Sequence, residues 1–280
     1  MKNRLTTFLA FLFMFFIFMA CDQACKIDLS AITYDKSISL LPGEEIPISV
    51  SIDNPKECYT SYTWTTSAGS INPSNGSLNP SLITDCEPKN YSITLELKDS
   101  KGKIQYTRNI DISTQNPVPV RIADEYVSSG FFGDQNSISV DRTKFQGKDC
   151  DKFTFSPYGP EGFGGIYYQY PVNNWGDQTG KDLSGFNKVS FNVCSPNGAV
   201  VNFIAGGVAD DSKTYKDSFK GVTGFKLLNE TWQKIEIDLQ NRDLSSVIGG
   251  FAWVTNREYN SSPVVFYVAD IQYERVNCPE

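Results

Sequence analysis

The chain carries many short runs of β-branched and aromatic residues, and Gly, Pro, Asn and Asp separate these runs. Apolar and polar residues alternate within several of them, whereas the 3.6-residue period of an amphipathic helix is scarce. This pattern is typical of antiparallel β-sandwiches. The sequence therefore predicts an all-β protein.

The strand-like runs divide into two groups at the stretch STQNPVPV, residues 113–120. Its two prolines and polar lead-in interrupt the strand pattern and suit an extended connector. We therefore predict an export signal over residues 1–20, a first domain over residues 21–115 and a second domain over residues 120–280.

Two cations, Lys2 and Arg4, precede the apolar block FLAFLFMFFIFMA at the N-terminus. The block is shorter than the roughly 20 residues of a membrane span and has the charge pattern of a cleaved export signal. The sequence FMAC that ends at Cys21 resembles a bacterial lipobox. The resemblance implies a lipidated Cys21 and a protein anchored in the cell envelope without spanning the membrane. The alternative is an ordinary secretory signal with an incidental cysteine.

The charge of the chain excludes several functions. Loss of the leader removes two cations and no acidic residue, so the formal charge of −7 becomes −9. An acidic chain disfavours nucleic acid and anionic lipid, because phosphate groups select basic patches. The sequence contains no histidine, which excludes His-based catalysis and His-ligated zinc. It also lacks the GxSxG and HExxH motifs, so we expect no enzymatic activity.

Seven cysteines in an exported chain indicate disulfides. If the lipobox cysteine carries lipid, the other six allow three bridges in fifteen connectivities. Cys58 and Cys86 flank part of the first domain and are predicted to pair. Cys150 opens one strand-like run of the second domain and Cys278 follows the last. If those strands are antiparallel neighbours, their ends meet and the two cysteines pair.

The first domain contains the runs YTSYTWTTSAGS and NYSITLELKDSKGKIQYTRNIDIS. Alternation in Ile93, Leu95 and Leu97 predicts a half-buried strand, and Trp64 lies mid-strand, where we expect a core residue. Over residues 37–112 these runs resemble PKD or bacterial Ig-like domains. The resemblance implies a β-sandwich that acts as a spacer.

The second domain contains seven strand candidates, namely DKFTFSP, GIYYQYP, KVSFNVC, AVVNFIAGG, WQKIEIDL, VIGGFAWVT and VVFYVADIQYE. Their order, with SGFFGD before them, resembles the galactose-binding-like jelly rolls that include many carbohydrate-binding modules. The resemblance spans nearly all of residues 120–275. It implies a jelly roll, whereas the ligand stays open because this fold carries many functions.

The stretch GFGGIYYQYPVNNWGDQTG, residues 162–180, concentrates aromatic and amide side chains. Strand alternation places Ile166 and Tyr168 on one face and Tyr167 on the other. Aromatic rings stack on the C–H face of a sugar, and amides and carboxylates bind its hydroxyls. The predicted ligand-binding residues are Tyr167, Gln169, Asn173, Asn174, Trp175, Asp177 and Trp253. The alternatives are that the tryptophans are core residues and that the Asn and Asp residues serve the turn.

Acidic residues also allow a metal site. Galactose-binding-like modules often hold a structural calcium between an early loop and the final strand, and calcium takes oxygen ligands only. The resemblance implies Glu125, Asp134 and Asp270 as candidate ligands.

These observations together predict a membrane-anchored, monomeric protein that binds polysaccharide without catalysis. One alternative is a structural or adhesion protein with a protein partner. A second is a hydrolase or lyase whose carboxylate pair the sequence does not distinguish.

Overall fold

The computed structural model describes residues 31–34, 40–51 and 59–278. The predicted export signal, the lipidation site Cys21 and the cysteine Cys58 lie outside these residues. The described chain consists of antiparallel sheets with one short α-helix and one 3-10 turn, so the all-β prediction is confirmed. No helix in the described part is both long enough and apolar enough to cross a membrane.

The chain divides into two compact units, Met1–Thr114 and Gln115–Glu280. The first unit has seven described strands in two sheets, with orders β1-β2-β5-β4 and β3-β6-β7. The strands are β1 (Ala31–Tyr34), β2 (Glu45–Ser51), β3 (Ser61–Thr66), β4 (Ser70–Asn72), β5 (Ser81–Ile83), β6 (Asn90–Lys98) and β7 (Ile104–Ser113).

The core of the first unit lies between these two sheets. Ile93, Leu95 and Leu97 on β6 are fully buried, and the polar residues between them are not, as their alternation predicts. Trp64 on β3 is also buried, and its indole N–H donates to the backbone oxygen of Ser77 at 2.8 Å. The prediction of a core tryptophan is confirmed.

The second unit is a larger sandwich of two antiparallel sheets. A six-stranded sheet has the order β10-β11-β18-β13-β16, with β8 paired to β18, and a five-stranded sheet has the order β15-β14-β17-β12-β9. Its elements are β8 (Val120–Arg121), the helix α1 (Ile122–Glu125), β9 (Val127–Gly133), the 3-10 turn Gln135–Ser137, β10 (Ile138–Phe145), β11 (Lys148–Phe155), β12 (Phe163–Gln169), β13 (Lys188–Cys194), β14 (Val200–Gly206), β15 (Lys220–Leu227), β16 (Gln233–Asp238), β17 (Gly249–Asn256) and β18 (Val264–Glu274). All seven strand candidates of this unit are present.

Aromatic side chains from both sheets fill the space between them. Trp253 on β17 is completely buried, and its ring meets Phe153 and Phe266 edge-on at centroid distances of 5.2 and 4.9 Å. The prediction that Trp253 binds ligand is therefore wrong. Strand alternation directs residues 251, 253 and 255 inward, so this tryptophan is part of the core.

The cysteines of the second unit do not pair as predicted. Cys150 is a free, buried thiol, whereas Cys278 is disulfide-bonded, so the predicted bridge between them is wrong. The strands are indeed neighbours, but the register pairs Asp151 with Val268 in the middle of β18. Cys150 therefore lies beside the middle of the last strand and not beside its end. Cys86 is also disulfide-bonded, and its predicted pairing with Cys58 stays a prediction.

Candidate functional site

Strand β12 runs through the middle of the aromatic stretch, and its outward face is covered. Tyr167 lies on the opposite face from Ile166 and Tyr168, as their alternation predicts, but only 7% of it is exposed. Trp175 lies edge-on over its ring at 5.8 Å, and Phe132 flanks it at 5.4 Å. Burial raises the pKa of the Tyr167 hydroxyl to about 12. Tyr167 is therefore a packed side chain, and the prediction that it presents an open ring to a ligand is wrong.

Two of the predicted ligand-binding amides form hydrogen bonds within the loop after β12. Gln169 is fully buried and donates to the backbone oxygen of Asn174 at 2.8 Å. Asn174 is 2% exposed, so neither amide reaches a ligand and both predictions are wrong. The turn needs these groups because its backbone N–H groups have no strand partner. The Asn174 side-chain oxygen accepts from the N–H groups of Gly176, Asp177 and Gln178.

The remaining predicted residues of this loop reach solvent. Asn173 and Asp177 are exposed, and the Asp177 carboxylate pairs with Lys213 at 2.6 Å. Trp175 is half-buried against Tyr167. Their predicted role in ligand binding stays a prediction.

A different part of the same sheet presents an open surface. One cross-strand row runs over all five strands on the outward face, from β15 to β9, and contains Phe225, Asn202, Val254, Gly165 and Phe132. With strands about 4.8 Å apart, four spacings make this row about 19 Å wide. A Cβ at Gly165 would lie 2.3 Å from the Phe132 ring, so glycine lets that ring lie across the strand.

Aromatic rings and amides occur together on this surface. Phe225 and Tyr259 stack with ring centroids 4.1 Å apart and planes 25° apart, and they remain 37% and 47% exposed. The oxygen of Asn256 accepts from the Tyr259 N–H at 3.1 Å and so fixes the turn that carries this ring. We define the aromatic–amide face as Phe132, Phe163, Asn202, Phe225, Val254, Asn256 and Tyr259.

The aromatic–amide face combines two kinds of contact. Exposed ring surface on Phe225, Tyr259 and Phe163 offers flat apolar area. The side-chain NH₂ groups of Asn202 and Asn256 donate to no residue among those that the structure describes, so they are available to a ligand. A molecule with an apolar C–H surface and a rim of hydroxyls satisfies both.

Sequence reasoning missed the residues of this face. Phe225 lies in GVTGFKLLN, where Gly221 and Gly224 interrupt the apolar alternation of β15. Tyr259 lies in a turn, where no period applies. Only the register of the sheet brings these residues beside Asn202.

The three residues predicted to bind calcium lie in different places. Glu125 precedes β9 and Asp134 follows it, so a seven-residue strand of about 23 Å separates them. Asp270 on β18 pairs with Lys148, an ion pair that lowers the pKa of its carboxyl. No group of three acidic or cysteine ligands occurs among the described residues. The structure therefore does not bring the three residues together into one site, and a structural calcium stays a prediction.

Asp134 and Glu125 have protein partners of their own. The Asp134 carboxylate is buried and accepts the N–H groups of Glu161 and Gly162, which orders the turn before β12. Glu125 forms an ion pair with Lys181. Both contacts account for these carboxylates as structural groups of the sandwich.

The segment between β14 and β15 contains a buried carboxylate. Asp217 is buried, and its carboxylate accepts backbone N–H groups of Val208, Ile248 and Gly249. Burial raises the pKa of this carboxyl to about 6, although the three donors act in the opposite direction. Asp217 therefore fastens the segment to the end of the five-stranded sheet.

The fold and the face define the second unit as an antiparallel sandwich with an exposed aromatic–amide surface. No protein-family model and no curated protein sequence matches the chain. Solved structures with a similar fold include the family 11 carbohydrate-binding module of the cellulosomal cellulase Lic26A-Cel5E of Clostridium thermocellum. That match has 15% identity and a TM-score of 0.37, and it covers 49% of this chain and 81% of the module.

Two further structures are similar to parts of the chain. A family 30 carbohydrate-binding module matches at 16% identity and a TM-score of 0.42, covering 57% of this chain and 99% of its own. The SusE-like protein BT2857 matches at 9% identity and a TM-score of 0.29, covering 86% of this chain and 97% of its own. At these values the likeness does not assign a ligand to this chain.

Proposed function

We propose that the protein binds carbohydrate without catalysis and that the aromatic–amide face is the binding surface. The observation that carries this proposal is the stacked pair Phe225 and Tyr259, exposed at one end of a cross-strand row that contains Asn202. Half-exposed stacked rings contribute little to the core, because much of their apolar area stays in water.

The size and chemistry of the face fit a segment of polysaccharide. The row is about 19 Å wide, which accommodates several linked sugar rings. The exposed rings bury the C–H faces of sugars, and the free amide donors of Asn202 and Asn256 bind hydroxyl oxygens. The loop with Asn173, Trp175 and Asp177 belongs to the same sheet face and is proposed to border the ligand.

Affinity electrophoresis of the full chain through gels with soluble cellulose derivative, xylan, glucomannan or laminarin tests this proposal. Retardation by at least one polymer is expected, and Phe225→Ala/Tyr259→Ala is expected to weaken it at least tenfold, since two stacking contacts worth about 1 kcal/mol each are lost. Trp175→Ala is expected to weaken it less, because less of that ring reaches solvent.

A matched control comes from the other sheet. Phe145 and Tyr267 also form a stacked pair, with centroids 4.0 Å apart, on the outward face of the six-stranded sheet. Phe145→Ala/Tyr267→Ala removes the same kinds of ring and is expected to retain binding. Equal loss in both double variants, or no retardation in any gel, would contradict the proposal. Release of reducing sugar by the purified protein would contradict the absence of catalysis.

We further propose that Cys21 carries lipid and holds a monomeric protein in the cell envelope, where many anchored copies act together on one glycan. The support is the export-signal pattern that ends in FMAC. In a bacterial host, radiolabelled palmitate is expected to enter the wild-type protein and not Cys21→Ser. Equal labelling of the two proteins would exclude this site.

A further inference from the structure

A groove separates the free edges of the two sheets of the second unit. Strand β15 is the last strand of the five-stranded sheet and β16 the last strand of the six-stranded sheet. The two strands border an open cleft of about 610 Å³. That volume lies within the range of ordinary ligand sites, roughly 300–1,000 Å³.

Close packing at one end shapes the groove. A Cβ at Gly221 on β15 would lie 2.7 Å from the Ile237 side chain and 2.9 Å from Leu239. Glycine therefore lets the two edges approach each other there. Towards Leu227 and Gln233 the strands are joined by a short loop, so the groove lies along both strands between these two ends.

Basic residues from both strands line this space. Lys220 and Lys226 come from β15, Lys234 from β16, and Arg242 from the segment after β16. The lining also contains two carboxylates, Glu236 and Asp238, so it holds four cations and two anions. This excess is unusual in a chain whose formal charge is −7.

The carboxylates of the groove already have partners. Glu236 lies between Lys188 at 3.0 Å and Lys234 at 2.9 Å. Asp238 accepts the N–H of Gln240 at 2.9 Å. By contrast, the exposed cations Lys220, Lys226 and Arg242 form no ion pair with any residue among those described. These three cations remain available to an external anion.

Lysines on edge strands also prevent edge-to-edge pairing of sheets. That role requires a charge on each edge separately. It does not account for cations from two different sheets that line one space, nor for Arg242, which lies outside both strands. A cleft with an excess of one sign of charge concentrates ligands of the opposite sign.

We propose that this groove binds a linear anionic glycan through the carboxylate or sulfate groups along its chain. The site is separate from the aromatic–amide face and rests on the proposed function only for the class of ligand. Gln233 in the lining supplies a side-chain NH₂ group for the sugar hydroxyls between the charges, because only its amide oxygen is bonded within the protein. The groove thus selects charged glycans, whereas the aromatic–amide face contacts sugar rings irrespective of charge.

Binding of the full chain to polygalacturonate, dextran sulfate and neutral dextran, measured by biolayer interferometry, tests the groove. Polygalacturonate or dextran sulfate is expected to bind and neutral dextran to bind at least tenfold more weakly. Affinity is expected to fall as salt rises from about 0.05 to 0.5 M, because screening weakens exposed charge pairs. Lys220→Gln/Lys226→Gln is expected to weaken anionic binding about tenfold.

The control double variant Lys144→Gln/Lys152→Gln removes the same charge from β10 and β11, at the opposite side of the six-stranded sheet. It is expected to bind as the wild type does. Unchanged anionic binding in the β15 variant, or equal loss in both variants, would overturn the assignment. Equally tight binding of poly-glutamate would assign the groove to acidic peptides and also overturn it.

The two binding proposals can be contradicted separately. If Phe225→Ala/Tyr259→Ala loses neutral glycans while the β15 lysine variant binds anionic glycans normally, the proposed function stands and the anionic groove is wrong. If the lysine variant alone loses its ligand, the groove stands and the aromatic–amide face is wrong.

Discussion

Trp253→Ala is expected to lower the free energy of unfolding of the second unit by about 3–5 kcal/mol. The side chain is fully buried between both sheets and packs edge-on against Phe153 and Phe266. Its removal takes away both aromatic contacts and leaves a cavity that the closely packed surroundings fill only in part. Urea unfolding followed by near-ultraviolet circular dichroism measures this loss.

Tyr158→Ala is the control for this prediction. Tyr158 is 74% exposed and lies in the turn between β11 and β12, so its loss is expected to change stability by less than about 0.5 kcal/mol. A loss below 1 kcal/mol in Trp253→Ala, together with weaker glycan binding, would restore Trp253 as a ligand residue and contradict the core assignment.

The stability advantage of the wild-type protein over Asp217→Asn is expected to shrink as the pH rises from about 4 to about 7. Asp217 has a folded-state pKa of about 6, above the value of about 4 in an unfolded chain. The folded state therefore binds this proton more tightly, and the stabilisation is complete below pH 4 and is lost as pH passes 6. The shift limits the change to about 3 kcal/mol.

Urea unfolding of both proteins at pH 4.5, 5.5 and 7 measures this change. Other carboxyls titrate in both proteins and cancel in the difference. Asp243→Asn is a control of opposite sign, because hydrogen bonds from Ser245 hold the pKa of the exposed Asp243 carboxyl below its usual range. If the difference in the free energy of unfolding between wild type and Asp217→Asn widens as the pH rises, the backbone donors lower the pKa of Asp217 more than burial raises it.

The strands of the second unit were predictable where apolar residues recur at least at every second position. The runs of β13 and β17 are such cases, and both are strands. Strand β15 was missed, because Gly221 and Gly224 break its alternation and its outward residues Val222 and Leu227 stay exposed. Its position depends on pairing with β14, which is a contact between segments that local sequence does not encode.

The sequence predicts which kinds of residue form the candidate site, but it does not predict where on the sheet they lie. Alternation along β12 correctly places Tyr167 and Tyr168 on opposite faces, yet it cannot show that Trp175 packs over the Tyr167 ring. The polar loop residue Asn174 is buried because it satisfies loop N–H groups. Which rings stay open is decided by the register that places Phe225 beside Asn202.

Amide chemical-shift mapping of the full chain during titration with neutral hexasaccharides tests the proposed binding surface most directly. The largest shifts are expected on the open row of the five-stranded sheet and the adjoining turn, at Phe225, Tyr259, Asn202, Val254 and Phe132. Shifts confined to the six-stranded sheet or to the first unit would contradict the proposed surface, as would a spectrum that no neutral hexasaccharide changes.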